Sequence, residues 1–156
     1  MKQATIDTRP SRRPFAKRVA GILLLCLISL WGGAGCSTEQ PETLTGTTVI
    51  VLEDSNVKAT MATRSGFLRE GLNEFMLEFR TPQGTPVDVG AITLYFDMPA
   101  MGSMPYMKND AQLTTTSTPG LYRGTVTLEM KGTWQAKLGY AGQAGNGTVT
   151  GTINAR

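Results

Sequence analysis

The sequence predicts an all-β protein: one antiparallel β-sandwich of about seven strands, preceded by a signal peptide. Three observations carry this. Apolar residues through the second two-thirds of the chain recur with period two rather than 3.6, the mark of half-buried strands. The runs are short and separated by Gly-, Pro-, Asn- and Ser-rich turns. Eighteen Gly and 8 Pro in a chain only 17% charged argue against a coiled coil or helical bundle. At 156 residues there is room for one domain with a tail.

The first 35 residues read as a lipoprotein signal peptide. Lys2, Arg9, Arg12, Arg13, Lys17 and Arg18 stand against Asp7 alone, a net of +5. An apolar run, Val19 to Trp31, and small residues 32–35 follow, the order of a secretory leader. Thirteen residues at about 1.5 Å each fall short of a ~30 Å hydrocarbon core, so an uncleaved anchor is the lesser alternative. Gly33-Ala34-Gly35-Cys36 resembles a bacterial lipobox, with Gly33 where Leu is usual. That resemblance implies lipidation of Cys36 and attachment to a membrane. More than one acyl chain is needed for stable anchoring. Ser37 after the cysteine is similar to an outer-membrane sorting signal in a Gram-negative cell. The expected location is therefore extracytoplasmic and membrane-anchored, periplasmic in such a cell. The alternative is a free Cys36 after a plain signal peptide. Cys26 lies in the leader, so the mature chain has no disulfide.

Residues 36–156 hold nine Lys/Arg and eleven Asp/Glu, so the basic pI of 9.0 belongs largely to the leader. No basic run with interleaved aromatics follows, and no nucleic-acid partner is expected. Residues 36–46 are polar, include Pro41, and read as a tether. The sandwich domain is placed at 47–156.

Its strands follow in order. Thr47 to Leu52 is a β-branched run. Asn56 to Thr63 aligns Val57, Ala59 and Met61. Asn73 to Arg80 aligns Phe75, Leu77 and Phe79. Val87 to Met98 alternates Ile92, Leu94 and Phe96 against Thr93 and Tyr95. Leu121 to Met130 aligns Tyr122, Val126 and Leu128, and Thr133 to Tyr140 aligns Trp134, Ala136 and Leu138. Gly147 to Ile153 closes the sheet. Arg64 to Leu72 reads as a helical turn or a lead-in to the next strand. Seven such strands in about 107 residues fit an immunoglobulin-like sandwich, with a small barrel as the rival.

One cluster carries chemistry. Met98, Met101, Met104 and Met107 are four of the chain's eight Met, spaced by three in the run Asp97 to Met107. Pro99, Gly102 and Pro105 disfavour a helix there, so the run is expected to be a loop at one end of the sandwich. Thioethers are soft, neutral donors that suit Cu(I), or Ag(I) as its mimic, and suit Zn, Mg or Ca poorly. Asp97 is a candidate charge neutraliser, and Trp134 offers a cation–π face. The alternatives are plain: methionine fills gaps and makes adaptable contacts, and Trp134 and Tyr122 fit a core. The chain has no His, which removes histidine-based catalysis and imidazole metal sites. No nucleophile–base pair or phosphate loop is legible, and the chain is not expected to be an enzyme.

The Met98-Pro99-Ala100-Met101 segment after a strand, then Pro119-Gly120-Leu121-Tyr122-Arg123-Gly124, then Gly132-Thr133-Trp134, resembles the YtkA-like/FixH-like family in order and spacing. The resemblance implies an extracytoplasmic immunoglobulin-like domain. It also implies copper handling as a metallochaperone or buffer, with a membrane partner such as an oxidase or efflux component. Relatives often carry His near the Met segment; here any site is thioether, or thioether with carboxylate. The competing function is a metal-free interaction or assembly module whose Met-Pro loop is an apolar contact surface.

Overall fold

The computed structural model describes residues 40–156. The expected signal peptide, Cys36 and the start of the tether lie outside the described residues. Nine strands make two antiparallel sheets, and among the described residues there is no helix. The first sheet contains β1 (Thr47–Glu53), β2 (Lys58–Thr63), β3 (Gly71–Arg80), β7 (Leu121–Leu128) and β6 (Gln112–Thr115), in that spatial order. The second contains β5 (Met107–Asp110), β4 (Ala91–Met98), β8 (Gly132–Gly142) and β9 (Gly145–Ala155). The orders β2-β3-β7-β6 and β5-β4-β8-β9 are those of the A-B-E-D and C′-C-F-G sheets of an immunoglobulin-type sandwich.

Seven of the nine strands are those read from alternation. The two extra ones are β5 and β6, each only four residues long and each at a sheet edge. The chain switches sheets between them at Ala111, whose N–H donates to the Leu94 carbonyl at 2.9 Å. Arg64 to Leu72 holds no helix; it is a series of bends and one bridge, Leu68 to Ala155, before β3 begins.

The inward faces interdigitate as sandwich faces must. Phe75, Leu77 and Phe79 of β3 and Tyr122, Val126 and Leu128 of β7 meet Leu94, Phe96 and Met98 of β4 and Trp134, Ala136 and Leu138 of β8. Phe79 and Tyr122 stack edge to face, with centroids 5.7 Å apart and planes at 87°, an arrangement aromatic quadrupoles favour.

One end of the sandwich collects Thr63 to Gly71, the Met98–Met107 connection, the Leu128–Gly132 turn and the end of β9. The opposite end collects the Glu53–Lys58, Arg80–Ala91, Thr115–Leu121 and Gly142–Gly145 turns. Residues 42–46, read as the last part of the tether, lie along the first sheet. The Glu42 carbonyl accepts from Thr118 Oγ1 at 2.7 Å, and its carboxylate pairs with Arg123 at 2.9 Å. Thr45 Oγ1 reaches Met76 Sδ at 3.1 Å. The segment thus enters beside the Thr118 turn and runs toward the methionine end.

Candidate metal centre

The four methionines are two facing pairs on one hairpin. Met98 ends β4 and stands opposite Met107, which opens β5. Pro99 and Pro105 then interrupt the ladder, since neither has an N–H to donate. Pairing resumes at Met101 and Met104 without a register slip. The Met101 N–H donates to the Met104 carbonyl at 3.1 Å and the Met104 N–H to the Met101 carbonyl at 2.9 Å. Gly102-Ser103 closes the turn, with Gly102 at φ 57°, where a side chain is disfavoured. The run read as a loop is therefore shorter, residues 99–106, and its outer Met residues sit in strands. Spacing of three on each arm places every Met opposite another.

The pairs differ in environment. Met98 is 1% exposed and belongs to the core. A Cβ on Gly132 would lie 3.1 Å from its Cε, so the Leu128–Gly132 turn closes down on it. Met107 is half-buried against the same core. Met104 is half-buried and Met101 is 50% exposed at the tip.

Asp97 lies on the opposite face of β4 from Met98, because successive side chains alternate. It is 5% exposed. Its Oδ2 accepts from Lys137 Nζ at 2.8 Å and from the Tyr106 hydroxyl at 3.2 Å, while Oδ1 is buried without a partner. Around it, Lys108 Nζ sits 4.5 Å and Lys137 Nζ 5.7 Å from the Tyr95 ring centroid, and Lys108 pairs with Asp110 at 2.6 Å. Burial, then the bond to Asp97, pushes the Tyr106 phenol up; the bond to Asp97 also raises the Lys137 ammonium. Sequence reasoning found Asp97 but missed Tyr106, Lys108 and Lys137. Alternation puts Tyr95 and Asp97 on one face, yet only the strand register brings Lys137 from 40 residues away.

Trp134 is fully buried, and its indole N–H donates to the Met130 carbonyl at 3.1 Å. Its faces are covered by core side chains, so no solvated cation reaches them without opening the sandwich. Among the described residues no group of three or more His, Cys, Asp or Glu is placed to hold a metal. A separate groove of about 720 Å³ lies on the first sheet, lined by Thr45, Arg64, Glu74, Met76, Thr114 and Arg123 among others. It includes none of the hairpin sulfurs.

The sequence matches the YtkA-like family model over residues 51–139, from β1 into β8 and across the whole hairpin. The chain belongs to the YtkA-like family. No curated protein matches it. Among solved structures, the ZirS C-terminal domain is similar at 14% identity over 99% of this chain and 94% of that one, with a TM-score of 0.38. In this YtkA-like domain the motif residues outside the hairpin are scaffold. Gly120 has φ +78°, and a Cβ there would lie 2.4 Å from the Val87 carbonyl oxygen, so only glycine fits. Its own carbonyl accepts from Phe79 N–H at 2.7 Å, and the Tyr122 hydroxyl donates to Asp88 Oδ1 at 3.1 Å.

Proposed function

We propose that the chain is a lipid-anchored, extracytoplasmic copper-handling domain that carries Cu(I) as cargo on its methionine hairpin. The observation that carries this reading is the facing of Met101 with Met104 in a doubly hydrogen-bonded pair. Opposed residues in such a pair have Cα atoms about 5.5 Å apart and side chains on the same face. That gives two flexible thioethers a common approach to one ion. Met107, three positions along the arm from Met104, is half-buried against the core, and Met98 anchors the hairpin there. Neutral sulfurs need no deprotonation to bind and match a soft monovalent ion. Membership of the YtkA-like family supports the reading. Each thioether is weak and replaceable, which suits hand-off to a membrane protein of an oxidase or efflux system. We assign the chain a carrier's role and no catalysis.

The test is a competitive titration of the protein with Cu(I), or Ag(I), beside Met101→Leu/Met104→Leu. Losing the pair is expected to weaken affinity about tenfold per sulfur, each tenfold being about 1.4 kcal/mol. Equal uptake by both proteins ends the copper reading.

One observation favours a metal-free contact surface instead. Met101 and Tyr106, at 50% and 53% exposed, are two of the four large hydrophobic residues left exposed among the described residues, and exposed Met suits adaptable contacts. A partner retained under strong copper chelation but lost on deleting residues 99–106 would decide for that reading.

A further inference from the structure

We infer that Asp97 and Tyr106 form a clamp that holds the methionine hairpin in the register pairing Met101 with Met104, Asp97 acting as a positioning residue on the face opposite Met98. This rests in part on the copper reading, and the experiment below separates the two. Pro105 removes the ladder bond that would fix the return arm of the hairpin at that point. The next residue, Tyr106, is 53% exposed, yet its hydroxyl reaches back over the sheet to Asp97 Oδ2 at 3.2 Å. That contact ties the return arm to β4 where the backbone cannot. Lys137, donating to the same oxygen at 2.8 Å, ties β4 to β8. Lys108 and Lys137, with their ammonium groups near the Tyr95 ring, close the cluster across β5, β4 and β8.

The energetics point the same way. A carboxylate that is 5% exposed, with one oxygen buried and unpartnered, is a poor stability device. Burying an ion pair costs desolvation that good geometry only partly offsets, and an unsatisfied acceptor adds to that cost. A solvated polar residue at position 97 would avoid both costs. What Asp97 adds is a fixed acceptor under the hairpin, where Tyr106 can be held.

The experiment compares the full-length protein with Tyr106→Phe, which removes one exposed hydroxyl, and Asp97→Asn, which keeps the shape and removes the charge. Amide hydrogen exchange is followed at Met101 and Met104, whose N–H groups bond each other's carbonyls, and at Leu94 and Leu138 as core references. Affinity for Ag(I) is measured on the same samples. Loss of one hydrogen bond is expected to raise exchange at Met101 and Met104 roughly five-fold in Tyr106→Phe, with Leu94 and Leu138 unchanged. Ag(I) affinity should fall by a similar factor, while Lys58→Ala, which cuts a surface pair with Glu53 at the opposite end of the sandwich, leaves both readouts at the wild-type level. Unchanged exchange at Met101 and Met104 in Tyr106→Phe overturns the clamp. So does raised exchange with wild-type Ag(I) affinity in both variants. If exchange rises as expected but the wild-type protein takes up no Ag(I), the clamp stands and the copper reading falls.

Discussion

At the scale of single residues, several prominent side chains are scaffold. Tyr122, in the family's Pro-Gly-x-Tyr element, is 6% exposed and donates to Asp88. Burial, followed by that bond, pushes its phenol from 10.0 up to about 12. A raised folded-state value means the fold prefers the neutral phenol. Its stabilising effect is whole below pH 10.0 and is lost as pH rises toward about 12. Denaturant unfolding across that window should show an alkaline decline that is shallower in Tyr122→Phe. Asp54 gives the acid counterpart. Burial acts to raise its carboxyl, but bonds from the Tyr140 hydroxyl and the Val57 and Asn56 amides together hold it below its ordinary value. Its contribution is present above pH 3.8 and fades as pH falls below that. Trp134 is open in the sequence to two readings, a cation–π face and a core indole. Period-two alternation sends the side chain inward with Ala136 and Leu138, and it is buried in the core. Which partners cover it is a tertiary fact.

At the scale of elements, the legible parts were those where burial imposes a period. β3 and β8 alternate cleanly, and the sequence places both within a few residues of their observed bounds. β5 and β6 read Met-Lys-Asn-Asp and Gln-Leu-Thr-Thr, with one apolar residue each. They are strands because β4 and β7 offer them an edge, and short edge strands are one way sheets limit further pairing. The hairpin was half legible. Its four sulfurs and the breaks at Pro99 and Pro105 stand in the sequence, but the pairing 98–107 and 101–104 needs β5 to exist. The network under it was not legible, since Asp97, Tyr106 and Lys137 meet only through three strands. The Thr115–Leu121 turn yields a prediction at this scale. Gly120→Ala forces a left-handed backbone, at roughly 1–2 kcal/mol, and drives a methyl into the Val87 carbonyl. A loss of about 2 kcal/mol or more is expected in urea unfolding, with the Ag(I) uptake proposed for the hairpin unchanged because the turn lies at the opposite end.

At the scale of the molecule, seven alternating runs with short turns predict a β-sandwich, and the two antiparallel sheets are one; their spatial strand order comes from the pairing itself. What the sequence could not show is how residues 42–46 are fastened. The Glu42–Arg123 pair is largely solvated on the arginine side, 66% exposed, and such pairs contribute at most about 1 kcal/mol. Glu42→Ala should therefore leave global unfolding nearly unchanged while exposing the Glu42–Gly46 stretch to limited proteolysis; a matching drop in global stability would contradict a lightly held strap. That fastening has a directional consequence. Residues 42–46 first touch the sandwich beside the Thr118 turn, at the pole that bears no hairpin sulfurs. The Gly102-Ser103 tip lies at the other pole, so whatever meets those sulfurs does so at the end remote from Glu42.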